Sequence, residues 1–137
     1  MNTDPKLGVN PKDLQGKKKI SLTKVPGVAL LHCAHAMMDG ARKYNAYNWR
    51  DNAVIASIYV DAAKRHLAAW FEHEETAKDS LVHHLGHAMA CCAILLDAIE
   101  TGNLIDDRPR LDNPGLIHRV STRLAMLAQS KAEEKAA

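Results

Sequence analysis

The sequence predicts an all-α protein. Its 137 residues include one Phe, three Tyr and two Trp, which is too little aromatic material for the core of a β-sandwich. Ala and Leu, which favour helices, are abundant. Apolar residues also recur at intervals of three and four along four segments, the spacing of one helix face. We therefore expect a bundle of four to five helices.

The apolar periodicity places these helices at about residues 28–44, 53–72, 80–100 and 116–128. In the first helix, Val28, Leu31 and Met38 have the spacing of core residues. Gly40 interrupts the same helix, and a glycine there suggests the close approach of another backbone or of a ligand. The remaining Ala, Lys and Glu residues after 128 continue as a polar helix or fray.

Capping residues set the expected helix boundaries. Asp51 or Asn52 is a candidate cap for the second helix, and Asp79 or Ser80 for the third, because short polar side chains bind the free N–H groups of a first turn. The third helix should stop at Gly102, since glycine commonly ends helices.

The amino-terminal segment differs in composition from the rest. Residues 1–26 are polar and basic, include Lys17-Lys-Lys19, and are expected to wrap a surface or stay mobile. Residues 20–25 suit a short extended piece that Pro26 ends. We expect residues 27–137 to form a single all-α domain.

Composition and motifs exclude several classes of protein. The net charge of +2 is too small to imply a nucleic-acid partner. No apolar run reaches the roughly 18 residues of a membrane span. A P-loop, a dinucleotide-binding glycine motif and a serine-hydrolase motif are all missing from the sequence, which disfavours those enzyme classes.

The cysteines indicate a compartment. There are three, and Cys91 and Cys92 are adjacent within a predicted helix, which suits buried thiols rather than a disulfide framework. The amino terminus has no apolar core of a signal peptide. Both observations predict a cytoplasmic protein.

Imidazoles lie within the apolar faces of two predicted helices. His66 belongs to the second helix, and His84 and His87 to the third. Asp61 and Arg65, four residues apart, share one side of the second helix beside its apolar stripe. The turn between the two helices is crowded with ionisable groups: Glu72, His73, Glu74 and Glu75. Hydrogen-bonded core histidines are one reading of this pattern, and a polar functional pocket is the other.

Carboxylates and imidazoles together suit a divalent metal ion such as Mg²⁺ or Mn²⁺. Such ions serve phosphoryl chemistry by activating water and neutralising phosphate oxygens. Lys43, Arg50 and Arg65 are candidates to bind those oxygens.

Residues near the start of the second helix suit a nucleobase. Tyr44 and Trp49 offer flat faces for stacking, and Asn48 offers both a donor and an acceptor for a base edge. Ordinary packing between the first two helices explains the two aromatic residues equally well.

Three blocks of sequence carry a family resemblance. They are Gly40-Ala-Arg-Lys43-Tyr44 with Asn48-Trp49-Arg50, then Asp61-Ala-Ala-Lys-Arg65-His66-Leu-Ala-Ala-Trp70, then Glu74 with Ser80 and His84-Leu-Gly-His87-Ala. In these blocks the chain resembles the small dATP/dGTP diphosphohydrolase domain of phages, including its MazZ-like members. That domain belongs with the MazG-like all-α nucleotide pyrophosphohydrolases.

The resemblance implies a fold and a reaction. The fold would be a MazG-like helical bundle that assembles as a homo-oligomer, a tetramer or dimer, with catalytic function in residues 27–137. The reaction would be hydrolysis of dGTP, or of GTP or dATP, to the monophosphate and pyrophosphate, with Mg²⁺ or Mn²⁺ as cofactor. In a MazZ-like role, the dGMP produced would feed the synthesis of 2-aminoadenine nucleotides in a phage.

The resemblance also implies site residues. His84-Leu-Gly-His87 stands where the broader family has Glu-Leu-Gly-Asp. We expect the metal ligands to be Asp61, Glu74, Asp79, His84 and His87. Asp61, His66 and Glu74 are the expected catalytic groups. His73 and Leu81 stand where the phage domain usually has glycine, which should stiffen the connector.

Other functions compatible with the same residues are separable by experiment. A helical purine-nucleotide-binding or regulatory module would bind the triphosphate without turnover. A metal-dependent phosphohydrolase that cleaves a different bond of the nucleotide would release phosphate or triphosphate instead of pyrophosphate. A small DNA-binding protein would show salt-sensitive affinity for DNA, which the modest net charge disfavours.

Overall fold

The computed structural model of the protein describes residues 4–6, 8 and 10–137. The chain divides into two compact units, residues 1–107 and residues 108–137. The predicted all-α class is confirmed, because the described chain is mostly helical. Its helices are α1 (Pro11–Gly16), α2 (Gly27–Tyr44), α3 (Asn48–Asp51), α4 (Ala56–Phe71), α5 (His84–Glu100) and α6 (Leu116–Ala136).

A two-stranded parallel sheet accompanies the helices of the first unit. Strand β1 (Val54–Ile55) pairs with β2 (Leu104–Ile105), and Val54 lies opposite Leu104. Each strand has two residues, so the sheet joins the start of α4 to the chain that follows α5 and does not form a layer of its own.

The amino-terminal segment contains helical turns. The extended piece predicted for residues 20–25 is wrong, since Leu22–Lys24 form a 3₁₀ turn. Ahead of it, the side chain of Asn10 accepts a hydrogen bond from the Lys12 amide, and Pro11 occupies the first helical position of α1. A capping Asn followed by Pro is a helix start, which the sequence analysis overlooked. Residues 1–3, 7 and 9 of this segment lie outside the described residues.

Helix α5 packs against both α2 and α4. The contact with α2 is closest at Gly86, where an added Cβ would lie 2.6 Å from the carbonyl oxygen of His32. The close backbone approach predicted at Gly40 is wrong, because nothing lies within 4 Å of a Cβ built there. Gly40 instead forms part of a cavity wall, so a ligand remains the one available explanation for that glycine.

The predicted core stripe of α2 is also wrong for the single chain. Val28, Leu31 and Met38 are 64–72% exposed, whereas Ala36 and Asp39 are buried. Sequence periodicity identifies the apolar face of a helix, but it does not identify which other element packs against that face. Helix α5 packs on the face of α2 that carries Ala36, where small side chains allow close contact. The more apolar stripe is left uncovered.

Helix α4 begins later than predicted and is capped from a distance. Asp51 lies in α3, Asn52 follows that helix, and neither caps α4. Instead, the Asp107 carboxylate accepts hydrogen bonds from the backbone amide of Ser57, at 2.8 Å, and from the Ser57 hydroxyl. These bonds satisfy a free N–H group in the first turn of α4, and they hold the pKa of Asp107 below its usual value.

The connector between α4 and α5 is a compact loop. The predicted caps Asp79 and Ser80 are wrong, since α5 begins at His84 and its cap is His83, whose Nδ1 accepts from the Leu85 amide. The loop closes on itself before α5 begins, because the Ala77 amide donates to the carbonyl of Val82 at 2.9 Å.

Two residues of this connector have left-handed backbone conformations. His73 has φ 70° and Leu81 has φ 61°. These are the positions where the resembled phage domain usually has glycine, which adopts that conformation without steric cost. In this chain those conformations are adopted by residues that L-chirality disfavours there.

Replacing Leu81 by glycine is therefore expected to stabilise the protein. A non-glycine residue in this conformation costs about 1–2 kcal/mol, and Leu81 is 70% exposed, so little packing is lost with its side chain. Part of the gain is offset by the greater freedom of glycine in the unfolded chain. The midpoint of urea unfolding should rise for Leu81→Gly and fall for the control Leu81→Val, because β-branching worsens the strain. A lower midpoint for the glycine variant would contradict the assignment of strain.

The second unit consists of a loop and helix α6. Of the two alternatives expected for the polar residues at the end of the chain, the structure shows the helical one, because α6 continues to Ala136. It starts after Gly115, which has φ 87°. Arg119 donates hydrogen bonds to the carbonyl of Pro114 and the side chain of Asn113, which ties the first turn to the preceding loop. In the described part of the chain, no helix is both long enough and apolar enough to cross a membrane.

Candidate active site

A cavity of about 300 Å³ lies among α2, α3, α4 and α5 in the first unit. Its charged part contains the side chains of Asp39, Lys43 and Asp79, and the imidazoles of His66 and His87 lie beside them. Its aromatic part is formed by the rings of Tyr44, Trp49 and Tyr59, and Asn48 and Cys91 line the cavity with them. Small and apolar side chains such as Ala36, Ala62 and Ala90 complete the wall.

Lys43 links two carboxylates in the charged part. Its Nζ lies 3.0 Å from Asp39 on the same helix and 3.2 Å from Asp79 in the connector. Asp39 is only 8% exposed and also contacts Arg42 at 2.6 Å. Burial raises the pKa of Asp39, but the hydrogen bonds from Lys43 and Arg42 outweigh it and hold the pKa below its usual value. Both carboxylates therefore stay ionised at neutral pH.

Three imidazoles form a connected group beside these charges. The Nδ1 atoms of His66 and His84 are 2.9 Å apart, so one of them donates to the other. His66 also stacks on His87, with ring centroids 4.4 Å apart, and His87 Nε2 lies 2.9 Å from the Ser80 hydroxyl. Burial and the neighbouring His87 and His84 lower the pKa of His66 to about 4, and burial lowers the pKa of His87. Both rings are neutral at pH 7.

The other nitrogen of His84 faces a carboxylate. His84 is 6% exposed, and in the part of the chain that the structure describes its Nε2 is buried without a hydrogen-bond partner. Glu74 Oε2 lies 3.6 Å from this nitrogen. A nitrogen lone pair and a carboxylate repel each other at this distance unless a proton or a cation lies between them. Either a proton on Nε2 or a metal ion between the two atoms would satisfy the pair Glu74–His84.

The other predicted metal ligands do not lie in one cluster with Glu74 and His84. Within residues 4–6, 8 and 10–137, no group of three or more His, Cys, Asp or Glu side chains is arranged to hold a metal ion. Asp79 is paired with Lys43, and the bond from that lysine lowers the pKa of Asp79. Mg²⁺ is often held by one or two carboxylates together with substrate phosphates and water, and Glu74 is the carboxylate of the pair that could serve in this way.

The imidazole group predicts a pH-dependent stability. His66 has a folded-state pKa of about 4 against an ordinary value of 6.5, so the unfolded chain binds more protons between these pH values. The free energy of unfolding is expected to fall as the pH is lowered from about 6.5 to 4, and the lowered pKa of His87 adds in the same direction. Urea unfolding in EDTA at several pH values measures this. His66→Asn should flatten the dependence, and a rise in stability on acidification would contradict it.

The aromatic part of the cavity suits a flat ligand. Trp49 and Asn48 lie on α3, Tyr44 at the end of α2, and Tyr59 on α4. Burial raises the pKa of the Tyr59 phenol, which remains a hydrogen-bond donor at neutral pH. Tyr47, outside the lining, packs its ring on Trp49 with centroids 5.5 Å apart.

The structure brings most predicted site residues together. Seven of them line the cavity: Lys43, Tyr44, Asn48, Trp49, His66, Asp79 and His87. Glu74 and His84 adjoin it through the bond to His66. Asp61 and Arg65 are exposed on α4 and are not among the lining residues, and Arg50 forms a two-bond ion pair with Asp97. The roles predicted for these three residues stay predictions.

Sequence reasoning missed three residues of the site. Asp39 was not among the candidates, but it pairs with Lys43, an acid-first spacing of four that the sequence does display. Tyr59 and Asp97 gave no local signal, because their relevance depends on how α4 and α5 meet α3.

These features define the class of the protein: an all-α, MazG-like fold whose cavity combines carboxylates, imidazoles and aromatic side chains. The family model for the N-terminal domain of dATP/dGTP diphosphohydrolases matches residues 9–108. The chain belongs to this family, whose activity is the hydrolysis of dATP or dGTP. No curated protein and no solved structure matches the chain significantly.

Proposed function

We propose that the protein hydrolyses dGTP, or GTP or dATP, between the α and β phosphates to give the monophosphate and pyrophosphate. The observation that carries the proposal is the cavity, which places charged and aromatic groups within reach of one ligand. A nucleoside triphosphate has the same two halves, a polyanion and a flat base. The family membership supports the same reaction class.

The charges in the cavity support a divalent cofactor, Mg²⁺ or Mn²⁺. Among the described lining residues, Lys43 is the one Lys or Arg, and it faces two ionised carboxylates, Asp39 and Asp79. Such a surface repels a triphosphate unless cations accompany it. Glu74 and His84 are the pair that would hold a metal ion, which would neutralise phosphate oxygens and activate water.

Lys43 and His66 are the side chains we assign to the phosphates. Lys43 is a point charge on a flexible stem, so it can exchange its carboxylate partners for a phosphate oxygen. His66 is neutral and its Nδ1 is engaged with His84, which leaves Nε2 as the atom for water or a phosphate oxygen. His87, held by Ser80 and stacked on His66, fixes the plane of that ring.

The aromatic part is assigned to the base. The indole of Trp49 and the phenol ring of Tyr44 supply faces for stacking, and the Asn48 amide can pair with the edge of a purine. Stacking alone does not distinguish guanine from adenine, so the preference for dGTP rests on the MazZ-like resemblance.

The cellular role we propose follows the same resemblance. The enzyme would act in the cytoplasm of a phage-infected host and supply dGMP for the synthesis of 2-aminoadenine nucleotides. The free thiols of Cys33, Cys91 and Cys92 are compatible with a reducing compartment.

We also propose that the protein works as a homo-oligomer, a tetramer or dimer. The exposed stripe of Val28, Leu31 and Met38 on α2 supports this, because monomeric proteins seldom leave such stripes in water. Light scattering coupled to gel filtration measures the number of subunits, and a monomer at micromolar concentration would contradict this part of the proposal.

Product identity tests the central proposal. The purified protein is incubated with dGTP and Mg²⁺ or Mn²⁺, and the products are separated by anion exchange. We expect dGMP and pyrophosphate. Formation of dGDP with phosphate, or of deoxyguanosine with triphosphate, would move the cleavage site. Intact dGTP that nevertheless binds would identify a non-catalytic nucleotide-binding module.

A further inference from the structure

The helix that carries Asn48 and Trp49 cannot hold its own geometry. Helix α3 has four residues, Asn48–Asp51, and so forms a single turn. An isolated helix of this length is unstable in water, because the free-energy cost of nucleating the first turn exceeds the stabilisation that its few hydrogen bonds provide. Contacts from elsewhere must therefore fix the position of the Trp49 indole in the cavity wall.

Asn103 donates to the backbone carbonyl of Trp49, and Asp97 of α5 supplies the hydrogen bond to the indole itself. The Trp49 Nε1–H donates to Asp97 Oδ2 at 3.0 Å. Arg50 donates to the same carboxylate twice, from Nε at 2.8 Å and from the terminal nitrogen at 2.7 Å. A carboxylate with three such donors is fixed in orientation, and the indole that it binds is fixed with it.

The ion pair also controls charge beside the aromatic part. Arg50 balances the charge of Asp97, so a neutral base meets no unpaired carboxylate there. The hydrogen bonds from Arg50 and Trp49 hold the pKa of Asp97 below its usual value, so the acceptor stays ionised at neutral pH.

We infer that Asp97 is a positioning residue for base binding, which acts by holding the indole of Trp49 in the plane on which the purine stacks. The inference rests on the proposed function, which assigns the aromatic part of the cavity to the base. A role in fold stability alone is the competing explanation, because Asp97 also fastens α3 to α5.

Steady-state kinetics separate the two explanations. Stacking on the indole binds ground state and transition state alike, so its loss raises KM and leaves kcat unchanged. We expect Asp97→Ala to raise the KM for dGTP about tenfold with kcat within about twofold. Asp97→Asn keeps an acceptor for the indole N–H and should recover most of the affinity.

Asp107→Ala is the matched control. It also removes a carboxylate that fastens a helix, since Asp107 caps α4 through Ser57, but neither Asp107 nor Ser57 is among the residues that line the cavity. The control should lower Tm and leave KM unchanged. Equal KM increases in Asp97→Ala and Asp107→Ala would overturn the inference in favour of a purely structural role.

Fluorescence supplies a readout that does not depend on turnover. The chain has two Trp residues, so Trp70→Phe leaves Trp49 as the single indole. Titration of this protein with the α,β-methylene analogue of dGTP and Mg²⁺ should quench the emission as the base stacks. Adding Asp97→Ala should move the midpoint to about tenfold higher concentration, in step with KM. An unchanged midpoint would overturn the inference.

A double-mutant cycle tests whether Asp97 acts through the indole. Trp49→Phe retains a stacking ring but cannot donate to Asp97. If Asp97 works by positioning Trp49, Asp97→Ala should raise KM in the parent protein but not in the Trp49→Phe background. Equal effects in both backgrounds would overturn the inference. If the parent protein shows neither quenching nor turnover, the proposed function itself fails, and the inference fails with it.

Discussion

His84→Ala is expected to lower kcat by about 10²–10⁴-fold, the range that removal of an acid–base or electrostatic group produces. The imidazole of His84 connects the two halves of the charged site, since Nδ1 contacts His66 and Nε2 faces Glu74. Its removal releases the ring of His66 and leaves the Glu74 carboxylate without a partner. Steady-state assays with dGTP measure the loss, and gel filtration confirms that the assembly is intact.

Glu74→Ala should produce a loss of similar size, because it removes the opposite member of the same pair. Glu75→Ala is the matched control: Glu75 is the adjacent carboxylate, but it faces His83, which caps α5 outside the cavity lining. Turnover in the control should stay within about threefold of the parent, the small effect expected of an exposed ion pair. Equal losses in the two glutamate variants would move the site away from Glu74.

Metal affinity supplies an independent readout for the same variants. If Glu74 and His84 hold the cofactor, both alanine variants should bind Mn²⁺ more weakly in calorimetric titrations without nucleotide, by at least the roughly 10–100-fold that loss of an outer-shell partner costs. Unchanged affinity together with lost turnover would mean that the pair closes around a proton instead, and that the metal ligands lie elsewhere.

The second large effect is expected from Gly86→Ala, which should destabilise the protein by about 1–3 kcal/mol through overpacking. The added methyl group would lie 2.6 Å from the carbonyl oxygen of His32, and a backbone atom cannot rotate away as a side chain can. Helices α2 and α5 must then separate. Because His84 and His87 flank Gly86, turnover should fall as well. Thermal unfolding and steady-state assays of the same preparation measure both effects.

Gly40→Ala is the control for this prediction. It makes the same chemical change within a helix, but nothing lies within 4 Å of the new Cβ. The better helix propensity of alanine should raise the stability by up to about 1 kcal/mol. If the two variants change stability in the same direction, the close contact between α5 and α2 is not the cause.

For the three histidines, the local sequence pattern predicted the helix faces on which they lie but not the contacts between them. The sequence places His66, His84 and His87 on the buried faces of two helices, and all three meet in the structure. The pattern could not specify which nitrogen atoms touch, because the contact between the Nδ1 atoms depends on how α4 and α5 pack. The unpaired Nε2 of His84, on which the metal proposal rests, is a consequence of that packing.

By itself, the sequence determined the helical class, the family resemblance and seven of the residues that line the cavity, because these depend on residue type and on spacing along one helix. Only the tertiary structure decided which face of α2 turns inward, that Asp107 caps α4, and that Asp97 holds Trp49. These contacts join residues about fifty positions apart, and no local periodicity records them. The face of a helix that is buried is chosen by the surface packed against it, and for α2 that surface belongs to α5.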